Sequence, residues 1–274
     1  MKMPDPDYRA LQAVNYSGLK LFAECPLYYW DRYLNPDREP EPRTPALVIG
    51  SATHCRILEG LEEYAARYIR EGVFDKRTKA GKEAHAQWLQ NVGDREPLPA
   101  DEWDLIEKLA ASVLGSPNAS ALVEGPNGYS EEVCQAIDPE TGMLLKCKVD
   151  RIQTIGGKTY VVDLKTCSRR YGGASPNGFG KSVANFKYHW QAAFYTDLLN
   201  ASGDWGPIEN FIFVCVEKEA PHAVAIYECD DQLMEAGRRQ YREALHRFGE
   251  CQDKNSWPGF DSSITSLSLP RWAL

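Results

Sequence analysis

Hydrophobic and polar residues alternate in three runs within residues 131–166, and two turn signals separate these runs. The first signal is the segment 138–142, Asp-Pro-Glu-Thr-Gly, and the second is Gly156-Gly157. Alternation with a period of two, bounded by turn residues, predicts β-strands joined by hairpins. We therefore predict a three-stranded meander, around which the rest of the chain is arranged.

The second turn predicts how the strands beside it pair. If the hairpin is centred on Gly156-Gly157, Asp150 lies opposite Asp163, and Lys148 lies opposite Lys165. Asp163 and Lys165 are two residues apart, so their side chains point to the same side of the strand. A lysine therefore joins the face that carries the two carboxylates.

The first turn adds a third carboxylate to this face. If that hairpin is centred near Thr141, Glu132 lies opposite Asp150, with Glu131 as the alternative. Directly opposed Cβ atoms lie about 4.5–5.5 Å apart, and like charges there are destabilising unless a cation lies between them. Mg²⁺ binds through one or two carboxylates and several waters, which makes it the predicted occupant.

A solvated sheet face with salt bridges is the commoner reason for any one of these acids. Asp163, however, lies in the otherwise apolar run 160–164, where an unpaired charge is costly to bury. The complete set of acids therefore favours a metal site.

Further elements are predicted on both sides of the meander. Strands are expected at 210–217 and 223–228, which gives a sheet of about five strands. Helices are expected at 17–34, with Ser17 as N-cap, over most of 61–124, from Tyr188 onward and at 230–249. The glycine-rich segment 167–187 predicts an irregular loop. The chain is thus predicted to be one α/β domain over 1–274, with a mainly helical part at 1–124, a catalytic core at 125–250 and a tail at 251–274.

Three polar residues in predicted helices are further candidates for a site. His54 follows Gly50 and Ser51 in an apolar segment, where a lone histidine is more often a core residue than a ligand. Gln191 and Tyr195 lie one turn apart on the helix that begins at Tyr188. Side chains of this kind orient water or phosphate when they face a row of acids.

Composition narrows the class of protein. The chain has 274 residues, 43% of them hydrophobic, and no apolar run approaches the roughly 18 residues of a membrane span. The N-terminus lacks the apolar segment of a signal peptide, so a cytoplasmic protein is expected. The eight cysteines form no C-x-x-C pair, and neither disulfides nor a structural metal is predicted.

The net charge of −8 argues against a protein that coats nucleic acid, but a nuclease can confine its positive charge to one channel. Two segments are basic. The residues that could contact phosphate are Lys76, Arg77, Lys79 and Lys82 in the first, and Arg169, Arg170 and Lys181 in the second, which also contains Lys187. A charge run is most often a solvated face, and phosphate contact is the alternative.

A row of acids with a lysine is suited to metal-assisted hydrolysis of phosphodiesters. The metal lowers the pKa of a bound water, and a second ion about 3.5–4 Å away would stabilise the leaving oxygen. The lysine would orient or deprotonate the attacking water. Phosphate esters are therefore the predicted substrates, and one or two metal ions are both compatible.

The same residues resemble the PD-(D/E)XK nuclease superfamily, in the branch with a helical histidine, D-x-K and Q-x-x-x-Y. The matching positions are His54, Glu132, Asp150, Asp163-x-Lys165 and Gln191-x-x-x-Tyr195. More closely, segments such as IGSATHCRILEG, VVDLKT and YHWQAAFYTD are similar to the exonuclease domain of the RecE (exonuclease VIII) type found in phages and prophages. The resemblance covers nearly the whole chain, although Val149 stands where the superfamily motif has proline.

This resemblance implies a restriction-endonuclease-like core and a 5′→3′ exonuclease on linear double-stranded DNA that leaves 3′ overhangs for recombination. It implies Mg²⁺, with Mn²⁺ as a substitute, a ring-shaped homo-oligomer and a single-strand annealing partner of the RecT type. The implied metal ligands are His54, Glu132, Asp150, Asp163 and the backbone carbonyl of Leu164. Lys165 would serve the attacking water, and Gln191 and Tyr195 would support the site.

Two other hypotheses fit the pattern. A related endonuclease or a Cas4-like end-processing nuclease would share the acids and the lysine, although the cysteine cluster of the Cas4 type is missing. A DNA-binding module with the nuclease fold but without turnover is the third. Cleavage of closed circular DNA would favour the endonuclease, and failure to bind metal would favour the binding module.

Overall fold

The computed structural model describes residues 3–39 and 41–269. Within them the chain forms a mixed five-stranded sheet with helices against both faces. The strands are β1 (Tyr68–Arg70), β2 (Glu96–Leu98), β3 (Gly128–Ile137), β4 (Leu144–Ile155), β5 (Lys158–Cys167), β6 (Ile208–Glu217) and β7 (Val224–Glu228). The helices are α1 (Asp5–Ala10), α2 (Tyr16–Glu24), α3 (Pro26–Tyr33), α4 (Pro45–His54), α5 (Gly60–Arg67), α6 (Lys79–Gln90), α7 (Ala100–Leu114), α8 (Pro117–Val123), α9 (Pro176–Asn185), α10 (Tyr188–Ser202) and α11 (Asp231–Asp253). A π-helical turn, Cys55–Glu59, continues α4.

The order of the strands in the sheet is β3-β4-β5-β6-β7. β5 and β6 run parallel, and the other neighbours run antiparallel. The predicted α/β fold with a mixed sheet of about five strands is therefore confirmed. β1 and β2 form a separate parallel pair inside the stretch that was predicted to be mainly helical.

The middle strands are buried on both faces, which explains their nearly continuous apolar sequences. One face packs against α10, which α2 and α11 cover in turn, with Phe194, Phe211 and Tyr241 almost fully buried. The other face packs against α7 and α8 through residues such as Leu109 and Val214. Within the described residues, no helix combines the length and the apolar composition needed to cross a bilayer.

The turn at Gly156-Gly157 has the predicted register. Both glycines have positive φ, 59° and 80°, as the tight turns of two-residue hairpins require. Arg151 pairs with Val162 and Ile152 with Val161, in agreement with the predicted centre of this hairpin. The ladder of pairs ends at Arg151 and Val162, one residue before Asp150 and Asp163.

The register between β3 and β4 differs from the prediction by one residue. Glu132 pairs with Val149 and not with Asp150. The cause is the turn, in which the Asp138 N–H donates to the Met143 carbonyl at 2.8 Å. The two strands therefore close around a four-residue loop, so the centre of the hairpin lies half a residue before Thr141.

Two helical predictions were also wrong in detail. The helix predicted at 17–34 is broken between α2 and α3, because proline at position 26 disfavours helical geometry at Cys25. Its N-cap is Asn15, whose side chain accepts the Gly18 N–H at 2.7 Å, and not Ser17.

The segment predicted as an irregular loop contains the helix α9, which Ser175 caps. Gly178 of this helix lies so close to Gly172 that a Cβ atom would meet the Gly172 carbonyl oxygen at 1.8 Å. These glycines therefore serve close backbone contact as well as chain reversal.

Candidate metal centre and active site

Three potential metal ligands meet at the edge of the meander. They are His54 at the end of α4, Glu131 on β3 and Asp150 on β4, and each offers a ligand atom within 4.8 Å of the others. His54 Nδ1 lies 3.4 Å from Asp150 Oδ2. The histidine, which the sequence left between a core residue and a ligand, therefore faces the acids.

Glu131, rather than Glu132, lies in this group. It falls between the Ser130–Arg151 and Glu132–Val149 pairs, which places it opposite Asp150. Its backbone is left-handed, with φ of 59°, an uncommon conformation for a residue with a side chain. Glu132 occupies the next position, on the opposite side of the strand, and is 7% exposed. The register on which Glu132 was chosen as ligand and catalytic residue was thus wrong by one residue.

A second group of polar side chains surrounds Asp163. This carboxylate is 2% exposed and forms an ion pair with Lys165. Gln191 Nε2 donates to Asp163 Oδ1 at 2.6 Å, and Lys165 Nζ donates to Gln191 Oε1 at 3.1 Å. The Lys165 ammonium also lies 4.6 Å from the centre of the Tyr188 ring. Asp163, Lys165 and Gln191 therefore form a closed triangle of contacts, as the predicted grouping requires.

Asp150 joins the two groups. Its Oδ2 accepts the backbone N–H of Leu164 at 2.9 Å, which ties β4 to β5 beyond the end of their ladder. The same oxygen faces His54. The part predicted for the Leu164 carbonyl as a ligand stays a prediction. Asp150 is held by its neighbours in a fixed orientation beside Glu131.

Tyr195 lies one helical turn after Gln191, as expected. Its ring packs at 6.3 Å from Tyr16 and 6.4 Å from Phe211, measured between ring centres. Burial raises the pKa of its hydroxyl well above the usual range. Tyr195 thus supports α10 against α2 and β6, and a direct part in the chemistry stays a prediction.

Burial and like charge make the acids unequal. Burial raises the pKa of Asp163 to about 6, despite the adjacent Lys165. Burial and the charge of Asp150 likewise raise the pKa of Glu131. Burial also opposes ionisation of Asp150, but His54, Lys165 and the Leu164 N–H outweigh it, so the pKa of Asp150 is lowered. The site therefore holds a full negative charge at Asp150 and concentrates further carboxylates around it.

The cationic side chains respond in the opposite sense. Burial would lower the pKa of His54, but the Asp150 carboxylate raises it to about 9. Burial also works against the Lys165 ammonium, while Asp163 and Asp150 raise its pKa above the usual range. The carboxylates around both groups therefore favour their protonated forms.

The residues fit a divalent cation. The donor set combines carboxylate oxygens with a single imidazole nitrogen, and its atoms already converge within 4.8 Å. Oxygen-rich sets of this kind suit Mg²⁺ and Mn²⁺ better than softer metals. His54, Glu131 and Asp150 would hold the ion, with Asp163 beside them.

Most of the cations predicted to contact DNA pair with acids outside the site or are exposed. Lys76, Arg77 and Lys79 pair with acids of their own region, which are Glu71, Asp75 and Glu83. Arg169 lies 3.3 Å from Glu217. Lys82, Arg170 and Lys181 are exposed. Their predicted contact with DNA stays a prediction.

Two lysines nearer the site were not singled out as DNA contacts. Lys20 on α2 lies 5.7 Å from the ring of Tyr16, whose hydroxyl donates to the Lys187 carbonyl at 3.1 Å. Burial, together with the positive charges of Lys165 and Lys187, lowers the pKa of Lys20. Among the described residues, no carboxylate lies within 4 Å of the Lys20 or Lys187 ammonium. Lys187 has a left-handed backbone, with φ of 57°, which a hydrophobic pattern does not predict.

A mixed sheet that presents an Asp-x-Lys strand beside further acids, with a helical glutamine behind it, defines the PD-(D/E)XK class of metal-dependent nucleases. The chain belongs to the family described as "PDDEXK-like domain of unknown function" (DUF3799), whose model matches residues 15–265.

One solved structure has a similar fold over nearly the whole chain. A protein from Eubacterium rectale, described as "Putative exonuclease", is 15% identical with a TM-score of 0.65, and the match covers 98% of this chain and 97% of that one. A second structure, SSO0001, is 16% identical over 84% of each chain, with a TM-score of only 0.31. No curated protein matches the chain significantly by sequence.

Proposed function

We propose that this chain is a Mg²⁺-dependent exodeoxyribonuclease that degrades linear double-stranded DNA from 5′ ends and leaves 3′ single strands. The observation that carries the proposal is the Asp163–Lys165–Gln191 triangle directly beside the His54, Glu131 and Asp150 group. Mn²⁺ is the expected substitute for Mg²⁺.

In this proposal the metal supplies an activated water and neutralises charge on the phosphate. The chain's own residues position the reaction. Gln191 contacts both Asp163 and Lys165, which restrains the ammonium beside the acids. Because its pKa is raised, Lys165 is protonated and is suited to donate hydrogen bonds to the attacking water or to the phosphate. This favours orientation of the water over its deprotonation by Lys165.

Three observations besides the site support the choice of an exonuclease on double-stranded DNA. The resemblance to the RecE-type exonuclease domain extends over nearly the whole chain, and the Eubacterium rectale protein that carries an exonuclease name matches over nearly its full length. Lys20 and Lys187 add positive charge beside Lys165, where the phosphates of a bound strand would lie. A ring-shaped homo-oligomer and a RecT-type annealing partner belong to the same proposal.

The test uses linear DNA labelled at the 5′ or the 3′ end, with a covalently closed circle of the same sequence as control. We expect Mg²⁺-dependent release of the 5′ label first, no release in a chelator and an intact circle. Cleavage of the closed circle would contradict the exonuclease and favour the endonuclease. Loss of the 3′ label first would contradict the proposed direction.

A further inference from the structure

A lysine outside the predicted set of site residues lies against the candidate ligand Glu131. Lys148 Nζ is 2.7 Å from Glu131 Oε2 and also 2.7 Å from Asp5 Oδ1 of α1. The Lys148 side chain is 18% exposed, whereas Asp5 is 61% exposed. Lys148 thus bridges the exposed Asp5 of α1 and the mostly buried Glu131 of the site.

The N-terminal segment is fastened along the same face of β4. Lys146 and Lys148 are two residues apart, so both lie on the side that carries Asp150. Lys146 is 4% exposed, and its Nζ donates to the carbonyls of Tyr8 and Leu11 at 2.8 Å each. Lys146 therefore anchors α1 without an ion pair to the site, and Lys148 alone of the two contacts Glu131.

The two opposed acids, Asp150 and Glu131, contact different positively charged groups. Asp150 faces His54 and accepts the Leu164 N–H, whereas Glu131 faces Lys148. Two carboxylates directly opposite on neighbouring strands repel each other, and Lys148 compensates this repulsion on the Glu131 side. A divalent ion that binds to Glu131 must share this carboxylate with an ammonium, which repels the ion as well.

We propose that Lys148, which Asp5 and Glu131 share, sets the affinity of the site for divalent ions by competing with them for Glu131. This inference rests on the proposed function, because it requires that the site binds a metal. Lys148 is then a charge-balancing residue: it stabilises the acids when the ion is absent and limits how tightly the ion binds.

The experiment compares Lys148→Met with Lys146→Met by calorimetric titration with Mn²⁺ and by thermal melting with and without Mn²⁺. Lys148→Met is expected to bind Mn²⁺ about tenfold more tightly, because a nearby like charge is removed. It should melt at a lower temperature than the wild type in chelator and recover with Mn²⁺. Lys146→Met also loosens α1 but should bind Mn²⁺ within about twofold of the wild type.

Asp5→Asn is expected to change the affinity for Mn²⁺ in the opposite direction. Without Asp5, Lys148 is left to Glu131 alone, and Mn²⁺ binding should weaken by about two- to threefold. Tighter or equal binding would count against the role of Asp5. If Lys148→Met does not fold, Lys148→Gln removes the charge while keeping a hydrogen-bond donor.

The outcomes separate the two claims. Absence of Mn²⁺ binding by the wild-type chain contradicts the proposed function itself. Mn²⁺ binding by the wild type with equal or weaker binding by Lys148→Met contradicts only the role of Lys148. Equal tightening in Lys146→Met would assign the effect to a loosened N-terminal segment and would also overturn the inference.

Discussion

Replacement of Lys165 by methionine is expected to reduce digestion of linear DNA by about 10³-fold, with binding of DNA retained. Lys165 is the ammonium closest to Asp163, and the only proposed source of oriented hydrogen bonds to the attacking water. Methionine preserves most of the volume between Tyr188 and Phe213, so packing changes little. The rate of digestion at saturating Mg²⁺ is the measurement.

The same substitution should destabilise the metal-free protein. It leaves Asp163, 2% exposed, without its cation, and breaking a buried ion pair in this way costs about 3–5 kcal/mol. Added Mg²⁺ should recover part of this loss, since the ion supplies positive charge beside the same carboxylate.

Lys158→Met is the matched control for Lys165. Lys158 lies on the same strand, but it is exposed and pairs with the surface residue Glu209. Digestion by Lys158→Met should equal that of the wild type, and surface pairs of this kind contribute little to stability. Wild-type digestion by Lys165→Met would remove the basis for a nuclease at this site.

Replacement of Glu131 by glutamine is expected to weaken Mg²⁺ binding by about 100-fold, whereas Glu132→Gln should leave it within about twofold of the wild type. Both changes are isosteric and remove one charge, so the pair compares the two sides of β3. Glu131 lies opposite Asp150, and Glu132 pairs with Val149. Calorimetric titration and the Mg²⁺ dependence of digestion both measure the difference. If Glu132→Gln loses metal binding while Glu131→Gln keeps it, the observed pairing of β3 with β4 is contradicted.

The sequence predicted the pairing of β4 with β5 because one local feature determines it. Two consecutive glycines permit a tight turn, and the turn fixes which residues pair beyond it. The grouping of Asp163, Lys165 and Gln191 could also be predicted, since strand and helix periodicities indicate which way these side chains point. Its closure through two hydrogen bonds at Gln191 required the structure.

The sequence did not determine in the same way which glutamate of β3 is the ligand. Several centres are possible for the longer turn at 138–142, and a shift of half a residue exchanges Glu131 for Glu132. The left-handed backbone at Glu131 gives no signal in a hydrophobic pattern. Lys148 shows the same limit, because its contact with Asp5 joins residues 143 positions apart.

The sequence pattern did not predict the helix α9, because the glycine that allows it to pack is typical of loops. Glycine normally signals a loop, but Gly178 permits contact between α9 and the turn at Gly172. A helix whose glycines serve close packing has the composition of a loop. Tertiary contact, which the sequence pattern does not contain, decides between the two.

The central claim is that His54, Glu131 and Asp150 hold a divalent ion beside Lys165. The most direct test is anomalous scattering from crystals of the protein grown with Mn²⁺. We predict an anomalous peak bordered by these three side chains, lost in crystals of Glu131→Gln and kept in those of Glu132→Gln. A peak at another place on the chain, with none among these side chains at Mn²⁺ concentrations that support digestion, would contradict the account.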